Sequence, residues 1–174
     1  MEKIRLTVDK VLEWIVISLM GANVMNVLWQ VFTRFILRNP SSYTEELARY
    51  LLIWVGLMGA SYAVSKRMHL AIDILTQRLA GRSKQISELF VQICIFLFAF
   101  FVMVIGGIRL VNITLTLDQV SAALQVKIGY VYLVVPFSGI LIMFYSGSLF
   151  IEAFLMLMEQ NRKSTMEIRS TAVD

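Results

Sequence analysis

One cysteine (Cys94), one histidine (His69) and two prolines are all that the 174 residues hold of those types. A single cysteine excludes an internal disulfide. A histidine with no histidine or cysteine partner excludes a bis-histidine haem or a histidine-based zinc site built within the chain. No phosphate loop, dinucleotide fingerprint, nucleophile motif or metal cluster can be found. Charge is scarce as well: 16% of residues carry it, against about a quarter in soluble domains. The Lys and Arg residues behind the net charge of +4 stand at the ends of apolar blocks, where they orient a chain in a membrane. They form no phosphate-binding face, so a nucleic-acid partner is not expected. Catalytic, cofactor-binding and metal-binding residues are not expected either.

What the chain has in quantity is hydrophobic sequence, 58% of it, arranged in long runs. Four runs, at 11–35, 47–65, 89–110 and 130–158, lie near or above the ~20 residues that cross a bilayer. Nothing alternates as a membrane barrel would, and lipid leaves helices as the other spanning solution. The expectation is an all-α membrane protein with four transmembrane helices, a single integral-membrane domain over 1–174. Glu2, Asp9 and Glu13 interrupt the basic start, and no small-residue cleavage site follows, so the first run reads as an uncleaved span and not a signal peptide. Roughly 11 positive residues flank one side, among them Lys3, Arg5, Lys10, Lys66, Arg78 and Arg162, against about five on the other (Arg34, Arg38, Arg49, Arg109, Lys127). That bias predicts both termini in the cytoplasm.

Between spans two and three, Met68, Ile72, Leu75 and Leu79 recur on one helical face, followed by Gly81 as a stop. This predicts an amphipathic interfacial helix over 68–80, with His69 close enough to Asp73 for a surface hydrogen bond. Pro136 and Gly139 predict a kink in span four, and Gly106-Gly107 permit close packing or bending in span three. The segment 121–126 is apolar for an exposed loop, suiting the interface or another subunit. The tail over 160–174 is expected to fray.

Ionisable groups cost much in a membrane, so the charged hairpin between spans one and two stands out. On span one Asn23, Asn26, Gln30 and Arg34 form a narrow stripe. Such a stripe serves either a polar path or, more commonly, bonding between helices. Ser42-Tyr43-Thr44-Glu45 reads as a capping box, and Glu45 with Arg49 as an i, i+4 pair. Antiparallel geometry brings Arg34 to the depth of Glu45 and Glu46, predicting an ion pair with one of them. On span two, Gly56 with Ala60, and Gly59 with Ala63, are small-xxx-small patterns suited to close helix approach.

Gln30-Val31-Phe32-Thr33-Arg34-Phe35, Asn39-Pro40, Glu45-Glu46-Leu47-Ala48-Arg49, Trp54, Gly59-Ala60, Ala63 and His69, in that order, resemble the DctQ family, as does Tyr132-Leu133-Val134-Val135-Pro136. These are the small membrane subunits of tripartite ATP-independent periplasmic (TRAP) transporters. The resemblance covers most of the chain, from about residue 11 to 158. It implies a bacterial inner-membrane complex with two partners. One is a large membrane subunit carrying solute and sodium. The other is a periplasmic substrate-binding protein delivering an organic-acid anion of the C4-dicarboxylate or sialic acid type. The small subunit is implied to be a non-catalytic brace that helps dock the binding protein. Arg34, Glu45, Glu46 and Arg49 would then lie within reach of either partner, and the helix over 68–80 would anchor the brace in the lipid interface. A self-sufficient four-helix multidrug exporter, proton-coupled through Glu13, is the alternative reading. Glu13 lies near the entrance of its span and the interfacial insert is extra, which disfavours it.

Overall fold

A computed structural model of the chain describes residues 2–38, 41–66 and 82–171. Span one is α1 (Glu2–Phe35) and span two is α2 (Ser42–Ser65). Span three joins α3 (Arg82–Phe98), a π-helical segment (Ala99–Gly106) and α4 (Gly107–Thr116). Span four joins α5 (Ile128–Tyr132) and α6 (Val134–Thr171). Four helical stretches, Arg5–Phe35, Ser42–Ser65, Ile86–Thr116 and Ile128–Leu155, are long and apolar enough to cross a membrane. The fold is therefore all-α with four candidate spans, as the apolar runs predict. Among the described residues no strand forms; a lone antiparallel bridge joins Val120 and Lys127. The expected interfacial helix over 68–80, His69 included, lies outside the described residues. The backbone of α6 continues as helix to Thr171, past the start of the tail expected to fray.

The spans run up and down, giving the bundle two ends. The termini end holds Arg5, Ser65 and Glu152, and the hairpin end holds the α1–α2 turn and the 117–127 connection. Packing follows membrane logic, since lipid gives apolar side chains no reason to leave it. Trp14, Met25 and Phe35 are each about 70% exposed, while Ser61, Ser138 and Ser146 are fully buried. A small apolar centre of Leu12, Met58, Val64, Ala99, Met103, Val134, Ile142 and Tyr145 draws residues from all four spans. Ser61 Oγ donates to the Ser138 carbonyl (3.3 Å), and Ser146 Oγ donates to the Gln92 carbonyl (2.7 Å), so serines couple span two to four and span four to three.

Glycine sets the contact between spans three and four. A Cβ on Gly139 would stand 2.8 Å from the Met103 Cβ, and one on Gly107 would stand 2.9 Å from the Pro136 ring. The break in span four falls at Leu133, three residues before Pro136, because proline has no N–H to offer the Tyr132 carbonyl. Trp54 Nε1 on α2 donates to the neighbouring Val131 carbonyl (3.1 Å), tying span two to this break.

Candidate functional site

The polar residues gather at the two ends. At the hairpin end α2 begins at Ser42, with Ser41 as its extended N-cap and no side-chain cap bond. The expected capping box is thus not formed. Thr44 Oγ1 instead donates back to the Ser41 carbonyl (2.9 Å), and Glu45 is left to pair with Arg49 at 3.4 Å, both side chains about two-thirds exposed.

Glu46 follows Glu45 by one residue, about 100° further round the helix, and so faces the 117–127 connection. One of its carboxylate oxygens accepts the backbone N–H groups of Ala123 (2.8 Å) and Leu124 (2.9 Å). The other accepts the Tyr50 hydroxyl (2.8 Å). The loop it grips is itself built. Ser121 N donates to the Val126 carbonyl (2.9 Å), Gln125 N to the Ser121 carbonyl (3.2 Å), and Ile128 N to the Gln119 carbonyl (2.9 Å). Asp118 and Gln125 turn the chain at positive φ (48° and 55°), a region L-residues enter at a cost. Lys127 meets Asp118 at 2.9 Å, and that hydrogen-bonded carboxylate raises the Lys127 pKa above its ordinary value.

Arg34 forms neither of the ion pairs expected for it. The register of the hairpin explains the difference. Asn26 Nδ2 donates to the Thr44 carbonyl (2.7 Å), so Asn26 and the start of α2 share a level. Arg34 stands eight residues on, roughly 12 Å further along the axis, beyond Glu45 and Glu46. Its guanidinium lies over the Phe35 ring, 5.9 Å from the centroid. Among the other stripe residues, Gln30 is half-buried, and the buried Asn23 Oδ1 has no hydrogen-bond partner among the described residues. On α2 a Cβ at Gly56 or Gly59 would meet nothing within 4 Å, and Ala60 is exposed. Gly56 and Gly59 therefore make no close helix contact among the described residues; Gly107, Gly129 and Gly139 do.

The termini end holds a network that the sequence reading missed. Asp9, 7% exposed, accepts the Ser65 hydroxyl (2.8 Å) and pairs with Lys66 at 3.5 Å. Arg5 donates to the Ser65 carbonyl and to Glu152, both at 2.9 Å. These bonds join spans one, two and four. The available signal was Asp9 itself, a carboxylate two residues ahead of the apolar run at 11–35, where only a partner makes burial tolerable. Glu13, one turn further on, is exposed on α1.

Fold and polar placement together define a multi-pass membrane protein whose buried hydroxyls largely donate to backbone carbonyls, with Ser65 donating to Asp9. Residues 24–156 match the family model described as "Tripartite ATP-independent periplasmic transporters, DctQ component". The chain belongs to that family, which is a transporter permease subunit and not an enzyme. Three relatives illustrate the range. The sialic acid TRAP transporter permease protein SiaT of Haemophilus influenzae is 31% identical over 142 residues, covering 79% of this chain and 22% of that protein. The isethionate TRAP transporter permease protein DctMQ of Oleidesulfovibrio alaskensis is 34% identical over 96 residues, 55% of this chain and 15% of that protein. The sialic acid TRAP transporter small permease protein SiaQ of Vibrio cholerae is 27% identical over 106 residues, 61% of each. The chain thus spans less than two thirds of the length of each of these relatives.

Proposed function

We propose that this chain is the bracing subunit of a sodium-driven, binding-protein-dependent importer of an organic-acid anion in a bacterial inner membrane. Both termini lie in the cytoplasm and the hairpin end faces the periplasm. The chain holds a large solute-carrying subunit in place and helps dock the soluble binding protein at the hairpin end. The observation that carries this reading is the small share that the matched region makes of SiaT and DctMQ, 22% and 15%. In those permeases a region like this one is joined to a much longer permease, which supports a large permease as what this chain works with. The named solutes of the relatives, sialic acid, isethionate and C4-dicarboxylate, are all organic anions, which supports that substrate class.

The test is co-expression with a candidate large permease, followed by purification through a tag on this chain and reconstitution. A stable complex that moves an organic anion only with sodium and the binding protein is the expected result. Solute movement by this chain alone would overturn the reading. Orientation is checked in a Cys94→Ser background by labelling Gln125→Cys with an impermeant maleimide, which should react from the periplasmic side.

A further inference from the structure

We propose that Glu46 is a positioning residue for partner docking, and that the surface it positions is the 117–127 hairpin, offered preformed to the soluble binding protein. This rests on the proposed function, in which the hairpin end faces the periplasm. The connection between spans three and four lies outside the candidate spans and has two residues at positive φ, and its own bonds, Ser121 to Val126 and Ile128 to Gln119, close the hairpin without fixing it to the bundle. Yet Glu46 reaches it from the second turn of α2 and gathers two successive N–H groups onto one oxygen, with Tyr50 holding the other. Charge-assisted bonds of this kind are among the stronger ones available to a carboxylate. They face inward and leave Gln119, Val120, Ala122, Gln125 and Val126 exposed on the outer side. A surface ordered before contact spares the ordering cost when a partner arrives.

Charge selects the occupant. Glu45 is paired with Arg49 and Asp118 with Lys127, and Glu46 is spent on the loop. Among the described residues Arg34 and Arg38 are exposed with no carboxylate partner, and Glu46 keeps its charge against neutral donors. At this end the four cations Arg34, Arg38, Arg49 and Lys127 therefore exceed the three carboxylates Glu45, Glu46 and Asp118 by one. An acidic face on the binding protein complements it, and complementary charge steers encounter.

The assembled transporter, reconstituted with saturating solute and titrated with binding protein, provides the test. Glu46→Ala should raise the half-saturating binding-protein concentration ~10-fold and leave the maximal rate within about 2-fold. Amide exchange at Ala123 and Leu124 should quicken ~10-fold or more. Glu46→Gln keeps a carbonyl acceptor and should stay within about 3-fold of the parent in both measurements. Faster exchange with an unchanged half-saturating concentration overturns the docking role. A lowered maximal rate with that concentration unchanged also overturns it, since Glu46 would then serve the fold alone. If Glu46→Ala does not assemble, Ala123→Pro removes one donor with the carboxylate intact and is read against the same outcomes. If the unaltered complex needs no binding protein, the function reading fails together with the docking role, and exchange in Glu46→Ala still decides whether the latch exists.

Discussion

The two ends of the bundle are fastened by different chemistry. At the termini end Asp9, Ser65, Lys66, Arg5 and Glu152 bind side chain to side chain, with one backbone carbonyl, across three spans. At the hairpin end a single carboxylate, Glu46, grips the backbone of a loop. The first arrangement clamps helices to one another, and its loss should be felt by the whole bundle. The second ties the start of span two to one connection, which carries its own backbone bonds as well. The proposed bracing role would draw on both, rigidity at one end and a defined surface at the other.

The largest expected effect lies at the clamp. Asp9→Ala leaves the buried Ser65 hydroxyl without its acceptor and removes the Lys66 pair, and should cost about 2 kcal/mol, seen as a lower unfolding temperature in detergent. An unchanged melting curve would remove the distinction between the ends. Next comes Gly129→Ala just under the latch, where a new Cβ would sit 2.6 Å from the Leu115 side chain. Overpacking there should cost about 1–2 kcal/mol and quicken loop exchange more than exchange at Ser65. A smaller coupling, about 0.5 kcal/mol, is expected from a double-mutant cycle on Arg5 and Glu152, because the Glu152 side chain is 43% exposed. A coupling above that of Asp9 with Ser65 would relocate the centre of the clamp.

The smallest effect belongs to Asp118 and Lys127. The folded Lys127 pKa is raised, so the pair's contribution is present at neutral pH and is lost as pH climbs through that raised value, above the ordinary 10.5. Asp118→Asn should lower the Lys127 titration midpoint, read by NMR of the methylated lysine, and leave Ala123 and Leu124 exchange unchanged. Quicker exchange there would mean that the loop depends on its own charges as well as on Glu46.

The four spans were legible because hydropathy is local: each run declares itself within its own ~20 residues. The close contacts were half legible. Gly107 and Gly139 read as sites of close approach or bending, and both pack tightly, whereas Gly56 and Gly59 showed the same small-residue signature and face open space. Composition shows which helix faces can approach closely, not which do. Glu46 was visible as a charge in need of a reason, but its partners are backbone N–H groups 77 and 78 residues away. A backbone donor leaves no mark on residue identity, so no pattern in the sequence points to it. The Arg34 expectation failed for another reason. It assumed a turn that returns at the same level, and the Asn26–Thr44 bond sets the register roughly two helical turns lower.

Span three keeps an unusual beat. From the start of the π-helical segment to Val111 its buried residues fall at Ala99, Met103, Gly107 and Val111, one every fourth position, before the usual spacing returns at Thr114. In a straight α-helix each step of four overshoots a full circle by about 40°, so three steps would carry the buried line roughly 120° around the axis. Underwinding through the i→i+5 bonds of the π-helical segment opposes that drift. The phase correction lets one edge of the span stay turned toward its neighbour on both sides of the segment, from Gln92 beside Ser146 to Gly107 beside Pro136. Removing one residue between 99 and 106 would therefore act as a rotation, swinging everything beyond it out of step with span four.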